Sequence, residues 1–244
     1  AEVQQMVLDF LKECVDCGVD GFRFDAAKHI ELPGDSGCGS NFWPFVLGGV
    51  RDYAGANNLF IYGESLSGSG SDAWVNEFIT YMALTDSQTG NAARDAVRDQ
   101  NAGALAVGTY SRGDYPQDYV LWAESHDTYE DGGSTGVSSD KIVRTWAIVG
   151  ARAHSTALYL ARPNERMGLA SSDTSWKSTA VAEVNKFKTH YVGTGEYLSY
   201  DQNAKITWIE RGNANNGAGV VISKLDGAGW VDLTAHLMSD GIYK

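Results

Sequence analysis

The sequence predicts an α/β chain: a parallel sheet interleaved with helices over residues 1–194, followed by an antiparallel β module over 195–244. Three observations predict it. Short apolar runs alternate with helical stretches as far as Tyr191. Those runs are almost continuously apolar, as strands covered on both faces are. After Gly195 the texture changes to short strands split by turn residues such as Asn213, Asn215, Asn216 and Gly217.

The elements follow in order. Val3 to Cys17 carries apolar residues at Val7, Leu8, Phe10, Leu11 and Val15, a helical spacing, and Gly18 stops it. Val19 to Asp25 is the first strand, and a helix from Phe42 to Tyr53 leads into Leu59 to Glu64. Phe78 to Leu84 reads as a third strand, then Asn91 to Gln100 as an amphipathic helix. Tyr119 to Glu124 and Thr156 to Ala161 are strands four and five, each followed by a helix, Asp140 to Arg152 and Thr179 to Tyr191. In the β module the strands are Glu196 to Tyr200, Lys205 to Glu210, Val220 to Leu225 and Trp230 to Thr234.

Composition narrows the function. With 244 residues, 43% of them hydrophobic, the chain is long enough for a sizeable core. No window approaches the eighteen or so apolar residues of a membrane span. The net charge of −12 repels phosphate backbones and argues against nucleic acid, whereas a neutral polysaccharide is indifferent to it. Cys14 and Cys17 form a C-x-x-C at a helix end, not at the N-terminus where a redox pair gains its low pKa, so they read as small helix residues. A bridge from either to Cys38 stays open.

Three strand ends carry acids: Asp25, Glu64 and, just past a strand, Asp127. Glycoside hydrolysis needs two carboxylates flanking the scissile bond, roughly 5–5.5 Å apart when configuration is retained. In a parallel barrel such groups stand at the C-terminal strand ends. Period two puts Arg23 and Asp25 on one face and Phe22 and Phe24 on the other. An arginine beside a carboxylate keeps it ionised, as a nucleophile requires. Glu64, after an apolar strand and Gly63, suits a general acid. Asp127 with His126 suits sugar hydroxyls, and Glu124, earlier on that strand, is the rival acid. Each segment alone also fits a plainer role: an ion pair at Arg23–Asp25, a helix or loop cap at Glu64, a surface pair at His126–Asp127. Trp43, Trp74 and Trp122 are candidate sugar platforms, although Trp122 sits inside a strand and reads as core.

Gly21-Phe22-Arg23-Phe24-Asp25-Ala26-Ala27-Lys28-His29 resembles the second conserved motif of the α-amylase family. Tyr62-Gly63-Glu64 is similar to the third, and His126-Asp127 to the end of the fourth. Three motifs in order on separate strand ends are far more specific than any one of them, and the resemblance runs through essentially the whole chain. It implies strands four to eight of a TIM (β/α)₈ barrel followed by an antiparallel β domain, and a retaining endo-hydrolase of α-1,4-linked glucans such as starch. By the same resemblance Asp25 is the nucleophile, Glu64 the acid/base and Asp127 the transition-state stabiliser. Arg23 orients Asp25, His126 binds the sugar being cleaved, and Lys28 and His29 contact the glucose on the leaving-group side.

The resemblance also implies a structural calcium, to which the main-chain carbonyl of His29 contributes, a suitable donor for that hard cation. Ser125 stands where the family usually has an Asn that helps hold chloride in chloride-activated members, which puts a chloride site in doubt. Nothing matches the first motif, so the first three barrel strands and most calcium ligands are expected in a missing N-terminal part of the protein. The opening at Ala1–Glu2–Val3, inside a helical pattern, agrees with that expectation. Since starch does not enter cells, a secreted or cell-surface location is expected. A transglycosylase or α-glucosidase of the same family, or a silent glucan-binding relative, are the competing readings.

Overall fold

The structure, a computed structural model, describes residues 2–55, 59–67, 72–108, 118–163, 173–213 and 217–239. It divides into two compact units, Ala1–Asp86 with Ser111–Val120, and Ser87–Tyr110 with Leu121–Lys244. Five parallel strands are joined in the order β1-β2-β3-β4-β5, and three later strands form an antiparallel sheet, β6-β7-β8. They are β1 (Gly21–Phe24), β2 (Phe60–Gly63), β3 (Ala83–Thr85), β4 (Tyr119–Trp122), β5 (Thr156–Leu158), β6 (Glu196–Asp201), β7 (Ile206–Asn213) and β8 (Gly217–Lys224). This is the expected partial barrel sheet and β module.

The first unit holds α1 (Glu2–Asp16), α2 (Phe42–Ala54), α3 (Ala73–Phe78), strands β1 to β3 and the start of β4. Leu8 and Leu11 of α1 are buried with Val46, Leu47 and Val50 of α2. A Cβ at Gly49 would lie 2.7 Å from the Leu8 side chain, so the two helices approach this closely only because Gly49 has none. Trp43 is the centre of an aromatic cluster, edge-on to Phe24 at 5.2 Å and to Phe42 at 5.1 Å. It is fully buried and so serves the core, not a sugar platform. Trp122 is likewise buried, as its strand position suggested.

The second unit holds α4 (Ser87–Arg98), α5 (Ala102–Leu105), α6 (His126–Glu130), α7 (Ser139–Val149), α8 (Thr179–His190), the end of β4, β5 and the antiparallel sheet. Ile209 of β7 shares a core with Val97, Leu121, Trp146, Val149, Val181 and Val184. Polar ties accompany it. The Thr207 hydroxyl donates to the Ala102 carbonyl at 2.8 Å, and Ser223 to that of Arg144 at 2.8 Å. Buried Arg211 donates to the carbonyls of Ala151, Tyr191, Thr194 and Gly195, satisfying a charge that would otherwise be costly inside.

Two expected strands differ. Phe78 to Leu84 is a strand only from Ala83, because α3 continues to Phe78 and the amides of Tyr81 and Met82 turn back to the Phe78 carbonyl. A short apolar run does not distinguish strand from helix end. Trp230 to Thr234 is not a strand, and the Trp230 side chain stands fully in solvent. The chain just beyond is tied differently: His236 and Leu237 donate their amides to the buried carboxylate of Glu210 at 2.7–3.0 Å. Cys14, Cys17 and Cys38 are all free thiols. Among the described residues no helix is long and apolar enough to cross a membrane.

Candidate active site

Asp25 and Glu64 follow directly on the ends of neighbouring parallel strands. Register pairs Arg23 with Tyr62 and Phe24 with Gly63, so the two acids are the next residues on each strand. The ladder continues past them, with the Glu64 amide donating to the Phe24 carbonyl at 2.8 Å. Alternation puts Arg23, Asp25, Tyr62 and Glu64 on one face of the pair, while Phe22 and Phe24 pack into the apolar cluster on the other. The face assignment read from the sequence therefore holds.

Arg23 ties both acids to one cation. Its Nη1 donates to Asp25 Oδ1 at 2.7 Å, and its Nη2 lies 3.5 Å from Glu64 Oε2. The two carboxylates differ in environment: the Asp25 side chain is 78% exposed, that of Glu64 only 11%. After Asp25 the backbone turns left-handed at Ala26, φ 45°. That turn aims the Ala26 amide at Glu64 Oε2, 2.8 Å away, and the Ala27 amide at the Glu64 carbonyl, 3.0 Å away. Glu64 Oε1 has no hydrogen-bond partner among the described residues.

Neighbouring residues complete the setting. A Cβ at Gly63 would meet Met82 Sδ at 2.6 Å and Ala27 Cβ at 2.8 Å, so glycine is needed immediately before the acid. The Thr85 hydroxyl, at the end of β3, accepts from the Ser65 amide at 2.9 Å and faces its carbonyl at 3.0 Å, fixing the chain just after Glu64. Burial raises the Tyr62 phenol pKa; Arg23 opposes the rise and Glu64 adds to it. Lys28 donates to Ser67 at 3.1 Å, and His29, exposed, closes a single turn of 3₁₀ helix that begins at buried Ala27. The Gly/Ser run beyond Ser67 lies outside the described residues through Ser71.

His126 and Asp127 belong to the second unit, on the first turn of α6. His126 Nε2 lies 3.2 Å from Asp127 Oδ1, and both side chains are half exposed. Ser125 caps the helix: its hydroxyl accepts from the Thr128 amide at 3.2 Å, while the Thr128 hydroxyl accepts from the Ser125 amide at 2.9 Å. Both oxygens of the rival acid, Glu124, are held by Arg162 Nε and Nη2, at 2.7 and 2.9 Å. Burial disfavours the Arg162 charge, but the hydrogen bonds and charge of Glu124 outweigh it and hold the guanidinium above its ordinary range. Arg162 and Thr85 were not singled out by sequence, since neither belongs to a motif. Their one signal is a polar residue at the end of an apolar strand.

A calcium site needs six to eight oxygen ligands. Among the described residues no group of three or more His, Cys, Asp or Glu converges to hold a metal ion. The His29 carbonyl is the single candidate ligand the sequence offered, the other ligands being expected outside this chain.

Two neighbouring parallel strands thus end in carboxylates that share one arginine, and comparison with known proteins names the family. No protein-family model matches the chain. It is 34% identical over 215 residues to an α-amylase of Clostridium acetobutylicum, covering 86% of this chain and 27% of that protein. It is 31% identical to an α-amylase of Butyrivibrio fibrisolvens, covering 98% of this chain and 28% of that one. The chain thus spans about a quarter of the length of these relatives. Among solved structures, α-amylase I of Eisenia fetida in complex with maltohexaose superposes with a TM-score of 0.66 at 16% identity, covering 87% of this chain and 50% of that one. The α-amylase of H. orenii gives 0.61 at 13% identity, over 88% and 53% of the respective chains. The chain belongs to the α-amylase family of glycoside hydrolases.

Proposed function

We propose that the protein carrying this chain is a retaining endo-hydrolase of α-1,4-glucosidic bonds in starch-like glucans. The observation that carries the reading is the Arg23 guanidinium, bonded to Asp25 and adjacent to Glu64 on neighbouring strand ends. Relatives named α-amylase and a structural neighbour holding maltohexaose support the substrate class.

In this reading a carboxylate oxygen of Asp25 attacks the anomeric carbon while Glu64 Oε1 donates its proton to the leaving oxygen. The glycosidic C–O bond breaks and a glycosyl ester forms on Asp25. Glu64, now a carboxylate, takes a proton from water; that water attacks the anomeric carbon, the ester bond breaks, and configuration is retained. Arg23 orients Asp25 for attack and stabilises the carboxylate charge that reappears when the ester breaks. Asp127 and His126 hold hydroxyls of the distorted sugar, with Asp127 favouring the oxocarbenium-like geometry, and Lys28 and His29 meet the glucose on the leaving side. Calcium, bound in part by the His29 carbonyl, and a secreted or cell-surface location belong to the same proposal; no step runs through the metal. The residues 1–194 are taken as barrel and 195–244 as the start of the β domain.

Proton NMR of maltooligosaccharide hydrolysis tests the stereochemistry. The α-anomer should appear first and mutarotate to β; initial release of the β-anomer would refute a retaining mechanism. Water and sugar hydroxyls compete for the same intermediate, so longer products formed at high maltotriose concentration would favour the transglycosylase alternative.

A further inference from the structure

The buried pair at the end of β4 has no part in the chemistry just described, yet its contacts converge on one turn. Glu124 is 2% and Arg162 8% exposed. Arg162 grips both oxygens of Glu124 and spends its remaining reach on the chain that closes behind α6: Nη2 donates to the carbonyls of Val137 at 2.7 Å and Ser134 at 3.2 Å. Its guanidinium also lies 5.2 Å from the centre of the Tyr129 ring, which belongs to α6 itself. The Ser134 amide returns to the Thr128 carbonyl at 2.8 Å, and the Ser134 and Thr128 hydroxyls meet at 3.2 Å. From α4, Arg94 donates to the Ala123 carbonyl at 3.1 Å, holding the strand end from a second side.

We propose that Glu124 and Arg162 are positioning residues. They clamp the strand end, the α6 turn and its closing loop into one piece, and so fix His126 and Asp127 for transition-state contact. A pair serving stability alone would be a poor use of two buried charges, since such pairs are often no better than apolar substitutes. Here the geometry is specific: the fork of an arginine is needed to serve one carboxylate and two carbonyls together, and a lysine does not supply it. The catalytic consequence rests on the reading of Asp127 given above, whereas the clamp itself does not.

The test uses full-length protein and two readouts. In the wild type, the amides of Asp131 and Ser134 should exchange hydrogen only on global unfolding; exchange at open-loop rates would overturn the clamp without any variant. Arg162→Lys, and the neutral double variant E124L/R162M if the single substitution does not fold, should lose that protection. With maltoheptaose, kcat should fall about 100-fold, as for a sub-ångström to 1 Å misplacement, with KM little changed. Protection retained in a folded variant would overturn the clamp. Protection lost with kcat unchanged would overturn the positioning role. A wild type that fails to hydrolyse α-glucans would overturn the hydrolase reading, and the catalytic role with it, while the exchange result would still decide the clamp.

Discussion

Asp25 and Glu64 are unequal carboxylates made so by local structure: one open to solvent, the other held beneath a left-handed turn by the Ala26 amide. Asp25→Asn is expected to lower kcat by at least about a thousandfold, since the group that forms the covalent bond is lost. Glu64→Gln should cost roughly 10²–10⁴-fold on starch but much less on a glucosyl fluoride, whose leaving group needs no proton. Equal losses on both substrates would remove Glu64 from the acid role. A different residue sets a pH dependence. Burial, helped by Arg211 and opposed by Glu196, lowers the Lys188 pKa from 10.5 to about 8. Between those values the unfolded chain binds more protons, so stability should rise with pH over that window. Urea midpoints of wild type against Lys188→Met at pH 7.5 and pH 9.5 measure it: the wild type should gain relative to the variant, and a parallel pH dependence would contradict this.

At the scale of elements, strand ends carry the chemistry and small turns aim it. The α6 capping box is one such device, and Ser125→Ala should destabilise the protein by about 1 kcal/mol and lower kcat with it, as read by thermal denaturation and starch assay. Gly63→Ala is expected to destabilise more, because the new methyl meets Met82 and Ala27 inside the core. Much of this level was readable beforehand. The alternation in Gly21–Asp25 gave the faces correctly, and the apolar runs gave five strands in order. What the sequence did not disclose lies in contacts distant along the chain. The end of α3 at Phe78 and the turn that follows it to Met82 left only Ala83 and Leu84 of an expected strand, because periodicity does not separate strand from helix end over so few residues. Arg162 reaching Glu124 across 38 positions leaves no local pattern, and neither does Glu210 capturing the amides of His236 and Leu237.

Among the described residues the parallel sheet has five strands, against the eight of a (β/α)₈ barrel. A barrel short of strands would leave pairing edges and apolar interior uncovered. Residues 1–244 expressed alone are therefore expected to hydrolyse starch far more slowly than the full-length protein, or not at all; comparable activity from the isolated polypeptide would show that these strands suffice.

In the proposed mechanism Asp25 becomes covalently bonded to the sugar. Incubating full-length protein with a fluorinated glucosyl donor that forms the ester but hydrolyses slowly, then mapping peptides by mass spectrometry, tests it most directly. One added glycosyl mass is expected on the peptide containing Asp25, absent from Asp25→Asn. An active protein that acquires no label, or is labelled at another carboxylate, would contradict it.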